Sequence, residues 1–506
     1  MNYFKIKIAD NRKYFGSSLG ILICISGLMY FLFREAFSGF FFSEDLQTRG
    51  LLISKNYNLI SAMFTPFGPF FRPTAVVWSM GTQLLLPWDQ WAHHLRNFLL
   101  TCFNAFLLLL ILKEFTENKY VQFTALAFFA VSKVHMTTIG YINCIDNLGA
   151  LLYPLVSFLF LVKFVKKENW TSYYFSLFFF LLTIFARDPS IVFIAAVFTV
   201  LFVFKYKDAI KLFLPFLGVA IIYLVIRLSL VNFAPTDPGS AYAIRWEWQR
   251  IFLVLTSFSQ IMFNYLGEGA LIFSRSNLHS VFGAEALPPK LNVMIVASGV
   301  LLFLSTIIIS LRSSKWTIVF LVMIMAYLFP IFLIKNNQNY YYLEPLFAAT
   351  LIIAIAIDGL IKNNKQKLYK VLVSLWLCQI TFNCISIRLQ PDHLHANAWR
   401  FMGVKTLEAY NAFKPEMNDN ISRLILLVDK MDLGFYSYML TSYPIASIVA
   451  KTLLSEKIDV VEVKSFEEVG SVDFENKSNL VFRIENGSNQ YIKWSKNGPA
   501  VKLSKQ

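Results

Sequence analysis

An α-helical fold that crosses a membrane many times is predicted by three observations. Apolar runs recur from residue 17 to residue 386, each about 17 to 22 residues long, the length that ~30 Å of hydrocarbon demands. Hydrophobic residues make up 56% of the 506 and charged residues only 15%, against roughly 25% charged in soluble domains. The charges that do occur punctuate the runs, and the basic ones recur at every second boundary.

Taken in order, spans are predicted at 17–34, 92–112, 120–139, 147–165, 170–186, 189–204, 211–230, 291–311, 316–334, 343–361 and 368–386, about eleven in all. The first follows Lys5, Lys7, Arg12 and Lys13. It is long and lacks a small-x-small cleavage site, so it reads as a retained span and not a signal peptide. Lys113 with Lys119, Lys163-Lys166-Lys167, Lys205-Lys207-Lys211, Arg312-Lys315 and Lys362-Lys365-Lys367-Lys370 then fall on the same side as that basic N-terminus. By the positive-inside rule this side is cytoplasmic.

The outer side receives residues 35–91, the turns at Asp146 and Arg187-Asp188, the segment 231–290, the turn 335–342 and everything after 387. Two apolar stretches do not fit a simple crossing. Residues 74–87 are too few, and a crossing at 251–273 would reverse the later charge pattern, so both are expected to be interfacial or re-entrant. A multi-pass protein of the inner (plasma) membrane is expected, with a cytoplasmic N-terminus and a periplasmic or extracellular C-terminal part.

Past residue 391 the composition changes. Residues 392–506 hold 14 Lys/Arg against 14 Asp/Glu, leaving 32 against 17 to the membrane part. Strand-like runs at Leu424 to Val428, Val460 to Val463 and Leu480 to Ile484, with an apolar helical stretch at 435–454, predict a small soluble α/β domain. The division is therefore 1–390 for the membrane domain and 391–506 for the extracytoplasmic one. The net charge of +15 sits beside spans, where topology and anionic headgroups explain it, so no nucleic-acid partner is expected. Cys24, Cys102, Cys144, Cys378 and Cys384 lie in or beside apolar runs without CxxC spacing, which argues against a zinc site or a disulfide framework.

Ionisable side chains are costly in lipid and mark partners or cavities. Glu44, Asp45, Arg49, Arg72, Lys133, His135, Asp146, Arg187, Asp188 and Lys335 all fall at or just beyond the outer face in this topology. Carboxylates and guanidinium groups at that depth suit a reaction between a lipid phosphate and a hydroxyl acceptor. A carboxylate can take the acceptor's proton, and Arg can stabilise charge growing on a departing phosphate. Each residue also has an ordinary reading: a solvated Glu44-Asp45 loop, an ion pair within the turn for Arg187 and Asp188, a snorkelling Lys133, and a His135 that satisfies a span end. Prolines 66, 69 and 73 stiffen the aromatic turn that carries Arg72.

The order of these motifs resembles the GT-C superfamily of polytopic glycosyltransferases, especially its protein O-mannosyltransferase and TMTC-like branch, over roughly residues 15–390. The likeness lies in the acidic pair Glu44-Asp45, in Phe71-Arg72-Pro73-Thr74, His94-Leu95-Arg96-Asn97 and Val134-His135-Met136-Thr137, in Ile145-Asp146-Asn147-Leu148 and Arg187-Asp188-Pro189, and in Asn339-Tyr340-Tyr341-Tyr342-Leu343-Glu344-Pro345. The chain departs from the pattern at Thr137, where that family carries an acidic residue, and at Asn339, where it carries Arg.

The resemblance implies transfer of a sugar, with inversion, from a polyprenyl-phosphate donor to a protein or glycan acceptor at the outer face of the lipid bilayer. It implies Asp45 as the base, with Glu44 second. Arg72, Arg187 and Lys335 are implied phosphate ligands, with Asp188 orienting Arg187, and His135, Asp146 and Tyr342 complete the expected binding set. No metal-ligand cluster is legible, although the acidic pair with a donor phosphate could recruit a divalent cation, Mg or Mn. Two other readings stay open. An O-antigen ligase or polymerase would draw on Arg245, Arg250, Arg275 and His279, and a secondary transporter would suit the span count.

Overall fold

Asp89, Asn118 and Asn169 each open a long helix by accepting from backbone N–H groups with the side chain, Asp89 from Trp91, Asn118 from Tyr120 and Val121, and Asn169 from Thr171. Such caps satisfy donors that the first turn leaves without a carbonyl. The computed structural model describes residues 2–38, 59–66, 70–86, 89–231, 247–263, 289–334 and 339–389, together with five strands between 423 and 502.

The helices are α1 (Asn2–Phe33), α2 (Leu59–Phe64), α3 (Pro73–Val76), α4 (Thr82–Leu85), α5 (Gln90–Phe115), α6 (Lys119–Ala130), α7 (Val134–Gly140) and α8 (Ile145–Lys167). They continue as α9 (Trp170–Ala186), α10 (Phe193–Phe204), α11 (Ala209–Leu230), α12 (Trp248–Phe263), α13 (Pro289–Ser313), α14 (Trp316–Leu333), α15 (Leu343–Lys362) and α16 (Gln366–Leu389). The predicted spans overlap these helices, with 120–139 divided between α6 and α7, but the expected count of about eleven is not reached. Among the described residues seven helices are long and apolar enough to cross a membrane, or eight with the bent pair α6 and α7. The chain is thus a multi-pass helical membrane protein, with Trp170–Ala186, Asp188–Phe204 and Ala297–Ser313 as shorter apolar helices.

The span expected at 120–139 is broken. α6 and α7 meet at 62°, and the buried Lys133 lies in the break, where Val134 N–H bonds Ser132 Oγ at 3.4 Å. A polar side chain set into the helical ladder is a recognised cause of such a kink. In the stretch expected to be interfacial, residues 73–85 form a short helical rod, α3 and α4 joined through a π-helical turn at Val77–Gly81. Thirteen residues reach about 20 Å, short of the ~30 Å hydrocarbon layer. Trp78 of this rod donates from Nε1 to Tyr153 Oη at 3.0 Å and packs against Gly149, where a Cβ would collide with the indole.

α15 is the hub. It is buried along nearly its whole length, and its apolar residues face neighbours on all sides, as expected of a helix in the middle of a bundle. Gly359 lets Ser313 approach it within the space of a missing side chain. At this same end of the bundle Trp316 packs on Phe115, Phe158 and Phe204, with ring centroids 5.2, 6.1 and 4.2 Å away. Asp358 accepts there from Thr116 at 2.5 Å and pairs with Lys362 at 2.7 Å. The basic clusters that the sequence assigns to one side accordingly share one end of the fold.

The strands are β1 (Arg423–Val428), β2 (Asp459–Val463), β3 (Asn479–Ile484), β4 (Tyr491–Ser495) and β5 (Gly498–Lys502). They form one sheet in the order β2-β1-β3-β4-β5, parallel from β2 to β3 and antiparallel beyond. The first three match the predicted runs. The expected helix at 435–454 and the boundary at 390/391 lie outside the described residues. β4 and β5 are additions that the sequence reading did not include, and Pro499 is tolerated because β5 is an edge strand.

Candidate active site at one end of the bundle

Four separate junctions supply the polar side chains at the end opposite Trp316. Arg72 precedes α3, Arg187 and Asp188 join α9 to α10, Arg227 lies in the last turn of α11, and Glu344 lies in the first turn of α15. They meet because α9, α10, α11 and α15 alternate in direction and end at the same level.

Asp188 is the centre of one group. Its Oδ1 accepts from Arg227 Nε at 2.7 Å and from Tyr223 Oη at 2.9 Å, while Oδ2 accepts from Arg72 Nε at 3.3 Å. The Arg72 guanidinium also lies 3.9 Å over the Phe70 ring, a cation–π contact. Arg187 is the centre of the other. Its Nη1 donates to Glu344 Oε1 at 3.2 Å, and its guanidinium lies 4.8 Å over the Tyr341 ring.

Arg187 is only 6% exposed. A guanidinium has five N–H donors, and Arg187 makes no hydrogen bond among the described residues except the one to Glu344. A buried fork with unspent donors is suited to a bidentate anion such as phosphate. Three guanidinium groups against two carboxylates leave this cluster one positive charge in excess.

The expected pairing of Asp188 with Arg187 is not what forms. Arg187 has an extended backbone, φ −159° and ψ 132°, so it and its neighbour project to opposite sides. Asp188 orients Arg72 and Arg227 instead, and Arg187 takes Glu344. Tyr223, Arg227, Tyr341 and Glu344 were not singled out as site residues in the sequence. The available signal was an isolated ionisable residue inside each of two apolar spans, Arg227 and Glu344, which by cost alone calls for a partner.

The other expected residues that are described make contacts within the fold. His135 is fully buried, with its Nε2 bonded to Phe129 O at 2.9 Å and its ring edge-on to Phe129 and Phe33. His94 Nδ1 reaches Ile139 O at 2.8 Å, Arg96 bonds Thr82 Oγ1 at 2.6 Å and Ile142 O at 2.8 Å, and Asn97 Nδ2 bonds the carbonyls of Thr138, Tyr141 and Ile142. The His94-to-Asn97 run therefore pins α5 to the turn that leads into α8. Asp146 stands in the first turn of α8, where a carboxylate opposes the helix dipole favourably. Tyr342 is fully buried and stacks on Phe258 at 6.0 Å. Arg250 donates to Phe332 O at 3.1 Å. Glu44, Asp45, Arg49, Lys335, Arg245, Arg275 and His279 lie outside the described residues.

Among the described residues no group of three or more His, Cys, Asp or Glu side chains could hold a metal ion, and Asp188 and Glu344 are each engaged by guanidinium. These side chains fit an anion and do not fit a divalent cation.

Fold and site together define a multi-pass helical membrane protein that gathers three arginines at one end of its bundle. No family profile matches the sequence, and no curated protein matches it. Among solved structures, the chain is similar to the Archaeoglobus fulgidus oligosaccharyltransferase complexed with zinc and sulfate, at 9% identity and TM-score 0.48, over 88% of this chain and 62% of that one. It spans less than two thirds of that protein's length. It is also similar to ArnT from Cupriavidus metallidurans bound to undecaprenyl phosphate, at 11% identity and TM-score 0.46, over 92% of each chain.

Proposed function

We propose that this chain is an integral membrane glycosyltransferase of the GT-C type, which moves a sugar from a polyprenyl-phosphate donor to a hydroxyl acceptor at the outer face. The observation that carries the reading is Arg187: nine-tenths buried, with most of its donors uncommitted among the described residues, beside the Arg72-Asp188-Arg227 bridge. The order of motifs along residues 15–390 supports it independently.

In this reading Arg187 and Arg72 hold the donor phosphate, and Arg227 acts through Asp188 to keep Arg72 in place. The acceptor oxygen attacks the anomeric carbon while a carboxylate of the first outer loop, Asp45 with Glu44 second, takes its proton. The bond from the anomeric carbon to the phosphate oxygen breaks, and the charge gathering on the departing polyprenyl phosphate falls on the two guanidinium groups. One displacement inverts the anomeric centre. The sugar and the acceptor, protein or glycan, are set by residues beyond this cluster, and the 391–506 part is proposed as a separate extracytoplasmic domain.

The test is transfer from a panel of labelled polyprenyl-phosphate sugars by the purified full-length protein. Asp45→Asn and Arg187→Ala are each expected to reduce the rate by at least about a hundredfold. Activity that survives in both Asp45→Asn and Glu44→Gln would remove the base assignment, and full activity in Arg187→Ala would remove the clamp.

A further inference from the structure

Glu344 is 1% exposed, and a carboxylate that deep needs compensation at both oxygens. Oε1 has Arg187, but Oε2 is sealed from solvent and accepts from nothing among the described residues. The Tyr327 hydroxyl on α14 is likewise sealed and without a partner there. Tyr327 nevertheless lies within electrostatic reach of both Glu344 and Arg187. A charged acceptor and a neutral donor thus share one buried neighbourhood without bonding, although buried polar atoms are nearly always paired.

We propose that Tyr327 and Glu344 are positioning residues for Arg187: the Tyr327 hydroxyl takes over the Glu344 carboxylate when a donor phosphate draws the guanidinium away. The proposal rests on the reading of Arg187 as a phosphate ligand. Only hydrogen bonds move. An Arg187 N–H leaves Glu344 Oε1 for a phosphate oxygen, and the Tyr327 O–H turns to the carboxylate. The Tyr341 ring under the guanidinium supports the cation's face in both positions. Without the Tyr327 hydroxyl, phosphate binding would leave Glu344 as an uncompensated buried charge, so Arg187 would stay committed to it.

The experiment measures affinity of the full-length protein in detergent micelles for undecaprenyl phosphate, with undecaprenol as the phosphate-free control. Tyr327→Phe removes an oxygen that bonds nothing among the described residues, so the unfolding midpoint is expected to hold or rise. Its affinity for undecaprenyl phosphate is expected to fall about tenfold, with undecaprenol unaffected. A merely structural hydroxyl would give the reverse, a lower midpoint and unchanged affinity, and that result overturns the proposal. In a Glu344→Gln background no charge is left to compensate, so Tyr327→Phe should have no further effect, and a tenfold loss persisting there also overturns it. If Glu344→Gln does not fold, the single Tyr327→Phe variant still decides. Arg187→Ala separates the layers: lost affinity there with wild-type affinity in Tyr327→Phe sinks the exchange alone, whereas full affinity in Arg187→Ala sinks the clamp beneath it.

Discussion

Asp188 accepts from Arg227 Nε at 2.7 Å, and this contact ties the last turn of α11 to the α9–α10 junction. The other oxygen of the same carboxylate takes Arg72, 116 residues back along the chain. One side chain therefore sets the separation of two guanidinium groups that would otherwise repel. Tyr223 adds a neutral donor from one turn earlier on α11, so the carboxylate is held from three directions.

Removing that carboxylate should cost stability before it costs anything else. Asp188→Ala removes the carboxylate that Arg227 and Arg72 share. Loss of one partner of a buried pair costs about 3–5 kcal/mol, and the partial exposure of Asp188 and Arg72 places the expected loss near the bottom of that range. Thermal unfolding in detergent measures it. Asp188→Asn should recover part of the loss, because its amide oxygen still accepts one guanidinium.

Asn97→Ala is expected to behave differently from any clamp variant. Asn97 Nδ2 bonds the carbonyls of Thr138, Tyr141 and Ile142 at 3.0, 3.0 and 3.2 Å, and its Oδ1 accepts from Arg96 at 2.9 Å. Truncation removes these bonds from a buried turn, where Tyr141 O keeps Cys144 N–H and Ile142 O keeps Arg96, at about 1–3 kcal/mol. Undecaprenyl phosphate affinity should stay at the wild-type value. A fall in affinity without a fall in unfolding midpoint would return this motif to the binding site.

The helices were legible because an apolar run of span length has few alternatives in a chain so poor in charge. The break at Val131 to Lys133 was not, since Lys133 reads equally as a snorkelling span end. For the site, Arg72, Arg187 and Asp188 stood out as charges at span boundaries, yet adjacency suggested the wrong pairing. Side chains next to each other on an extended backbone diverge, and only the packing of α9 against α11 and of Arg187 against α15 decides their partners. Arg227 and Glu344 were obscured by their position within spans that hydropathy treats as uniform. β5 had a signal, the Asn497-Gly498 pair that favours a tight hairpin, but a strand holding Pro499 scores poorly when its edge position is unknown.

Gly149 offers a test of the interfacial rod. A Cβ there meets the Trp78 indole, which is fixed by its bond to Tyr153. Gly149→Ala must push the rod outward or break that bond, at about 1–3 kcal/mol, with a shift in tryptophan fluorescence. Trp78→Ala in the same background removes the ring that collides, so the double variant should lose less than the sum of the two single losses. Strictly additive losses would mean that the two residues do not touch.

The two polar ends of the bundle must face opposite compartments if the clamp is to meet an extracytoplasmic acceptor. Thr65 is exposed near the rod that carries Arg72, and Glu117 is exposed in the turn between α5 and α6, next to the Asp358 and Trp316 end. In a background with the five native cysteines replaced, a membrane-impermeant maleimide added to intact cells is expected to label Thr65→Cys. Glu117→Cys should react only after permeabilisation. The reverse pattern would turn the arginine cluster toward the cytoplasm, where the basic clusters are expected to lie, and the outer-face acceptor chemistry would have to be abandoned. Labelling of both positions from outside would mean that the two ends do not lie across a membrane from each other, against the span lengths of α5, α8 and α15.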